Sequence, residues 1–163
     1  MKKFFYVVLF SFFVSQLHAQ TPTLTKGETI SYLDKKIKES IGHNWTNNNG
    51  TIGKISSASV IQTEKGIKIE FRIDYQRTIS YEFNPKLISS VTEYTNGTSS
   101  PVNEIRLSLN GNVCIHYNNG QTNSVSYGNL PYLKADADNF QKISKAFNHL
   151  KALLAAEDDP FGQ

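Results

Sequence analysis

Residues 67–83 read IKIEFRIDYQRTISYEF, and this run restricts the fold more than any other part of the chain. Ile67, Ile69, Phe71, Ile73 and Tyr75 alternate with Lys68, Glu70, Arg72 and Asp74. Successive side chains point to opposite faces of a strand, so a strict period of two describes a strand with one face in a core and one in water. One-sided burial belongs to antiparallel sheets, because parallel sheets are covered on both faces. Ile79, Tyr81 and Phe83 repeat the pattern in the next strand, after which NPK supplies a turn.

Similar apolar alternation recurs at 55–63, 87–94, 104–109, 113–117 and 122–127, with EKG, TNGTSSP, NGN and NNGQ between these runs. Each spacer is a turn signal of the hairpin kind. Spacers this short leave no room for crossover helices, so about seven strands are expected in a mainly antiparallel meander. The Asn- and Gly-rich run HNWTNNNGTIG at 43–53 is expected to be a loop, and YGNLPYL at 127–133 a turn before the last helix.

Helical periods occupy the two ends. In TKGETISYLDKKIKESIG, Thr25 and Glu28 have capping-box spacing, Ile30, Leu33, Ile37 and Ile41 fall on one face, and Gly42 suits the stop. In NFQKISKAFNHLKALL, Phe140, Ile143, Phe147, Leu150 and Leu154 recur at spacings of three and four, with Asp136 or Asp138 as cap. Burying each such side chain contributes on the order of 1.5 to 3 kcal/mol, so the stripe is assigned to the core rather than to a partner. The helix is expected over 138–156.

MKKFFYVVLFSFFVSQLHAQ has the three-part layout of a secretory signal peptide: Lys2 and Lys3, an apolar block from Phe4 to Val14, then a polar segment ending at Ala19. The block is about half the ~20 apolar residues that span a bilayer, so export with removal of 1–19 is expected, and no transmembrane segment thereafter. One α+β domain over 20–163 with short flexible ends follows, since its ~140 residues suit a single core. The chain carries 17 basic and 14 acidic residues. Loss of Lys2 and Lys3 brings the mature part close to neutral, which leaves no electrostatic footprint for nucleic acid. Cys114 is the single cysteine, so no intramolecular disulfide forms and stability rests on the core.

Catalytic motifs are not found. Cys114 and His116 share a strand face, but Val113, Ile115 and Tyr117 form the alternating apolar set, which places the pair opposite the core and without an orienting acid. His43, His116 and His149 lack paired ligand spacing, and DADN lacks the glycine and terminal glutamate of a calcium loop, so neither a metal nor another cofactor is expected. There is no phosphate-binding glycine loop, GxSxG or HExxH. A carboxylate pair assembled from distant strands stays open as an alternative.

Binding residues are the better search. Trp45 stands in a polar run and either plugs the core or meets a ligand, burial being the default for indole. Tyr127 and Tyr132 in YGNLPYL are the second candidates, since tyrosine suits both half-buried strands and recognition surfaces.

Seven antiparallel strands followed by one amphipathic helix resembles the pleckstrin-homology-like (PH-like) superfold, which implies that Phe140, Phe147 and Leu150 plug one end of a bent sheet sandwich. The TKGETISYLDKKI helix together with KAFNHLKALLAAEDDPF is similar to an uncharacterised secreted family of Gram-negative bacteria. PH-like domains that bind phosphoinositides use a basic cluster in the first hairpin loop, whereas EKG offers only Lys65. A lipocalin-like barrel and a cystatin-like wrap of the first helix are the alternative architectures. The expected function is a non-enzymatic binding or interaction domain of the cell envelope, periplasmic or released, with a protein or small-molecule partner. A carrier of small apolar ligands or lipids, and a hydrolase with dispersed strand residues, are the alternatives.

Overall fold

The computed structural model describes residues 23–47, 50–94 and 100–158, so the leader expected at 1–19 lies outside the described residues. α1 (Lys26–Lys38) starts with the capping box expected: the Thr25 hydroxyl accepts from the Glu28 amide, and the Glu28 carboxylate accepts from the Thr25 amide at 2.8 Å. Thr29, Ile30, Leu33 and Ile37 are its buried positions. Ile41 does not continue that face as its spacing predicts, because the helix caps at Glu39 and Ile41 is exposed.

The strands are β1 (Asn44–Asn47), β2 (Gly50–Thr63), β3 (Gly66–Ile73), β4 (Arg77–Phe83), β5 (Ile88–Tyr94), β6 (Val102–Leu109), β7 (Cys114–Asn118), β8 (Gln121–Val125) and β9 (Tyr127–Leu133), with a 3-10 turn (Pro85–Leu87) before β5. All pairings are antiparallel. The alternation in β3 and β4 is realised register for register, with Ile67 opposite Phe83, Ile69 opposite Tyr81 and Phe71 opposite Ile79. Tyr75 departs from it. The strand stops at Ile73, and Asp74 and Tyr75 make the turn at φ 49° and 59°, which leaves Tyr75 78% exposed instead of in the core.

The antiparallel meander holds for β1 to β4 and breaks after β4. The strands form one sheet in the order β1, β2, β3, β4, β7, β8 and a second in the order β5, β6, β9. The chain therefore leaves the first sheet after β4, builds two strands of the second, returns for the β7–β8 hairpin, and crosses again to β9. Neither sheet closes on itself, so a continuous lipocalin-like barrel does not form.

Two segments with the sequence marks of a loop and a turn are strands. Asn44–Asn47 pairs with the start of β2, because Trp45 supplies a buried anchor that outweighs the weak strand propensity of the asparagines around it. YGNLPYL is β9, buried from Gly128 to Tyr132. Its Gly and Pro argue for a turn, but β9 is the edge of its sheet, where a proline without an N–H is tolerated.

α2 (Asn139–Asp158) buries Ile143, Phe147 and Leu150 completely, with Phe140 and Leu154 packed at the margin. Asp136 accepts from the Asp138 amide at 2.9 Å, and the Asn139 side chain donates to the Leu133 carbonyl at 2.7 Å, which ties the helix start to the end of β9. α1 lies against β2 and β9, while α2 lies against α1, the 3-10 turn, β5 and β9. A single hydrophobic cluster joins both helices and both sheets. Among the described residues no helix is long and apolar enough to cross a membrane.

Candidate functional site

Trp45 and Tyr132 are interior residues. The indole is 8% exposed and meets the Phe71 ring edge-on, centroids 5.5 Å apart. Tyr132 is buried on β9 and donates to the Glu93 carboxylate, which also accepts from the Asn103 amide at 2.6 Å. Burial and the Glu93 hydrogen bond hold the Tyr132 phenol above its ordinary range. Both side chains pin strands together: Trp45 holds β1 onto β3, and Tyr132 helps join the three strands of the smaller sheet.

Tyr127 is placed differently. It opens β9, is half-buried, and stands 4.9 Å from the Arg106 guanidinium measured at its ring centroid. On the other flank of β6, Tyr94 of β5 brings its ring to 4.8 Å from the same guanidinium. The registers explain the geometry. Tyr94 faces Glu104, Arg106 faces Asn129, and Ser108 faces Tyr127, so the two rings reach Arg106 along opposite diagonals from neighbouring strands. The Arg106 Nε also donates to Asn129 at 3.4 Å, at the long end of the hydrogen-bond range.

The cluster crosses to the larger sheet. Tyr127 lies 6.2 Å from Tyr81 of β4 and 6.4 Å from His116 of β7. Tyr81 and His116 are register partners whose rings stack at 4.6 Å and 7°. Burial first, and then the carboxylate of Glu104, push the Tyr81 phenol up, while Arg106 pulls against them. Burial lowers the His116 pKa, so the ring is neutral at pH 7. Tyr94 is 42% exposed and forms the outer end of this chain of rings.

Cys114 and His116 share a strand face as expected, but that face is the inner one. Val113 and Tyr117 are the exposed set and Cys114 is fully buried. The apolar alternation misleads because β7 covers an open outer sheet surface with Ile115 and Tyr117, while a thiol and a stacked imidazole serve the interior. Burial pushes the Cys114 thiol up to about 12, which keeps it protonated and unsuited to nucleophilic attack. Among the described residues no three His, Cys, Asp or Glu side chains converge to hold a metal ion.

Arg106 carries no local signal, and Tyr81 and Tyr94 read only as members of alternating strands. NEIRLSL reads as an ordinary alternating strand, with Arg106 on its polar side. Only the pairing of β6 with β5 and β9 brings two tyrosines to that arginine. Chemically, the cluster offers a planar cation flanked by phenol rings, with the buried Glu104 carboxylate on the same strand face and a neutral imidazole nearby, at a seam that reaches solvent through Tyr94. Comparison with protein-family models, with curated proteins and with solved structures returned no match to this chain.

Proposed function

We propose that this chain is an exported, non-enzymatic binding domain of the bacterial cell envelope, and that the Arg106 seam is where it engages a protein partner carrying an acidic segment. The observation that supports this reading is the double contact of Arg106 with Tyr94 and Tyr127, at 4.8 and 4.9 Å. Tyrosine and arginine are enriched at interface centres and supply much of the binding energy there. Stacking on two rings holds the guanidinium fork in one plane, so a carboxylate that docks on it loses less to side-chain ordering. Export rests on the leader layout at 1–19, and the likeness of both helices to a secreted Gram-negative family points the same way.

The test is a titration of the isotope-labelled chain with a glutamate-rich peptide, followed by NMR, with a lysine-rich peptide of equal length as control. Saturable shifts centred on Tyr94, Arg106 and Tyr127, seen with the acidic peptide only, are expected. Arg106→Lys keeps the charge but loses the planar fork, and is expected to weaken binding roughly tenfold, about 1.4 kcal/mol. Shifts scattered over lysine side chains, or equal affinity in the Arg106→Lys variant, would refute the assignment.

A further inference from the structure

The Arg106 seam opens toward one edge of its sheet. β5 is that edge, since the strand order of the smaller sheet is β5, β6, β9. At its start the edge is closed: Lys151 of α2 donates to the Ile88 carbonyl at 2.6 Å, and the register shifts between Ile88 and Ser90. Beyond that irregularity, residues 90–94 are exposed apart from half-buried Val91, and they include neither the lysine nor the proline that commonly blunts an edge. Alternate N–H and C=O groups of a strand point to either side, so the ladder to β6 uses one set and the other points away from the sheet. Among the described residues nothing hydrogen-bonds the outward backbone groups of 90–94.

The arginine is reached from the same side. Thr92, Arg106 and Asn129 share one row across the three strands. Asn129 is 9% exposed whereas Thr92 is open to solvent, so the row is covered at β9 and accessible at β5. The Arg106 Nε is turned to Asn129, and among the described residues its two terminal nitrogens have no hydrogen-bond partner. Thr92 is short and its hydroxyl donates to the Arg106 carbonyl at 3.4 Å, so no long side chain of that row stands between the guanidinium and the edge. Glu93 lies on the opposite face, across from Ile105, where its carboxylate accepts from Tyr132 and Asn103. Glu104, the acid on the Arg106 face, is 5% exposed and one row away, across from Tyr94.

A row of unpaired backbone groups is complementary to another strand, and extended peptides add to such edges through main-chain hydrogen bonds while alternate side chains set specificity. A strand beside β5 lies about 4.8 Å from it and about 10 Å from β6, a gap that a glutamate side chain and the Arg106 side chain span together over Thr92. We propose that the acidic partner segment binds as a fourth strand on the β5 edge, with acidic residues alternating with neutral ones. The acids lie over Thr92 toward Arg106, and the neutral side chains lie on the other face beside Val91, which is paired with Leu107. This rests on the reading of the Arg106 seam as the place where an acidic segment docks, and adds the conformation and the sequence period of that segment. A helical acidic segment does not fit, because its backbone groups are already paired within the helix.

The probe is a peptide of alternating threonine and glutamate, blocked at both ends and titrated into the isotope-labelled chain. Two derivatives accompany it, one N-methylated on the backbone at every threonine and the other at every glutamate. Only one alternate set of amides in an added strand faces the edge, so one derivative loses its hydrogen bonds to β5 and the other keeps them. Saturable shifts and slowed hydrogen exchange at alternate amides within 90–94 are expected with the parent peptide. One derivative is expected to bind at least roughly tenfold more weakly, and the other within about twofold of the parent. Parent binding at Tyr94 and Arg106 with equal affinities for the two derivatives, or with exchange at 90–94 unchanged, would overturn strand addition and leave the acid-binding seam standing. Absence of saturable binding by the parent peptide would overturn both.

Discussion

Replacing Gly66 with alanine separates two costs that usually come together. Gly66 closes the turn between β2 and β3 at φ +128°, a region that L side chains rarely adopt. A Cβ there would stand 2.5 Å from the Phe83 carbonyl oxygen, 2.8 Å from the Asn84 Cα and 2.9 Å from the Pro85 Cδ. Comfortable non-bonded contacts of carbon begin at about 3.5 Å, so the turn must lift by roughly 1 Å. Two of the three obstructing atoms are backbone, and no rotamer change relieves them. Conformational strain is worth about 1 to 2 kcal/mol and overpacking about 1 to 3, for a total of about 2 to 5 kcal/mol. A domain of this size has about 5 to 15 kcal/mol of stability in all, so the loss is easily measured.

Gly120 is the control. It also has a positive φ, +91°, but a Cβ at that position would meet nothing within 4 Å, so Gly120→Ala bears the conformational cost alone. Urea unfolding of the two variants gives the difference directly. With a slope of about 2 kcal/mol per molar, the midpoint falls by roughly 1 to 2.5 M for Gly66→Ala and by about 0.5 to 1 M for Gly120→Ala. Equal midpoints for the two variants would mean that the turn is not pressed onto Phe83 and Asn84, and the steric argument would fail.

Phe147→Asp places a charge in the fully buried stripe of α2 and is expected to unfold the domain, whereas Phe147→Ala is expected to cost about 3 to 5 kcal/mol by urea titration. A Phe147→Asp protein with an unchanged melting temperature would return that stripe to the candidate binding surfaces. Tyr75 sits exposed at φ 59°, so Tyr75→Gly is expected to raise stability by a few tenths to about 1 kcal/mol, and a loss would show that its ring has a contact worth more than the strain. His116 is depressed by burial, so the folded state takes up its proton later than the unfolded state does as pH falls. Its contribution is present above the unfolded value of about 6.5 and is lost as pH drops through the folded pKa; His116→Gln is expected to flatten that part of a stability-versus-pH curve, and an unaltered curve would refute the assignment.

Residues close in sequence carry much of the fold. The period of two in 67–83 sets β3 and β4 and their shared inner face, because neighbouring side chains on a strand have no choice but to alternate. Thr25 and Glu28 mark the start of α1 three residues apart, and the stripe from Phe140 to Leu154 marks α2, because both signals act within a turn or two of helix. The pattern fails at Tyr75, a strand end where a turn overrides the period, and at Ile41, a helix end where the last turn departs from it.

Tertiary structure alone decides which strands share a sheet and which sides of them are covered. β5 and β6 leave the meander for a second sheet, and β9, with a glycine and a proline that argue for a turn, is kept as a strand by its place at the sheet edge. Cys114 and His116 face inward because β7 is an outer wall whose apolar residues serve its open surface, a fact about neighbours and not about the strand itself. Tyr94, Arg106 and Tyr127 meet only through two registers. Chemistry of that kind depends on distance in space, which a one-dimensional pattern reports only for residues a few positions apart.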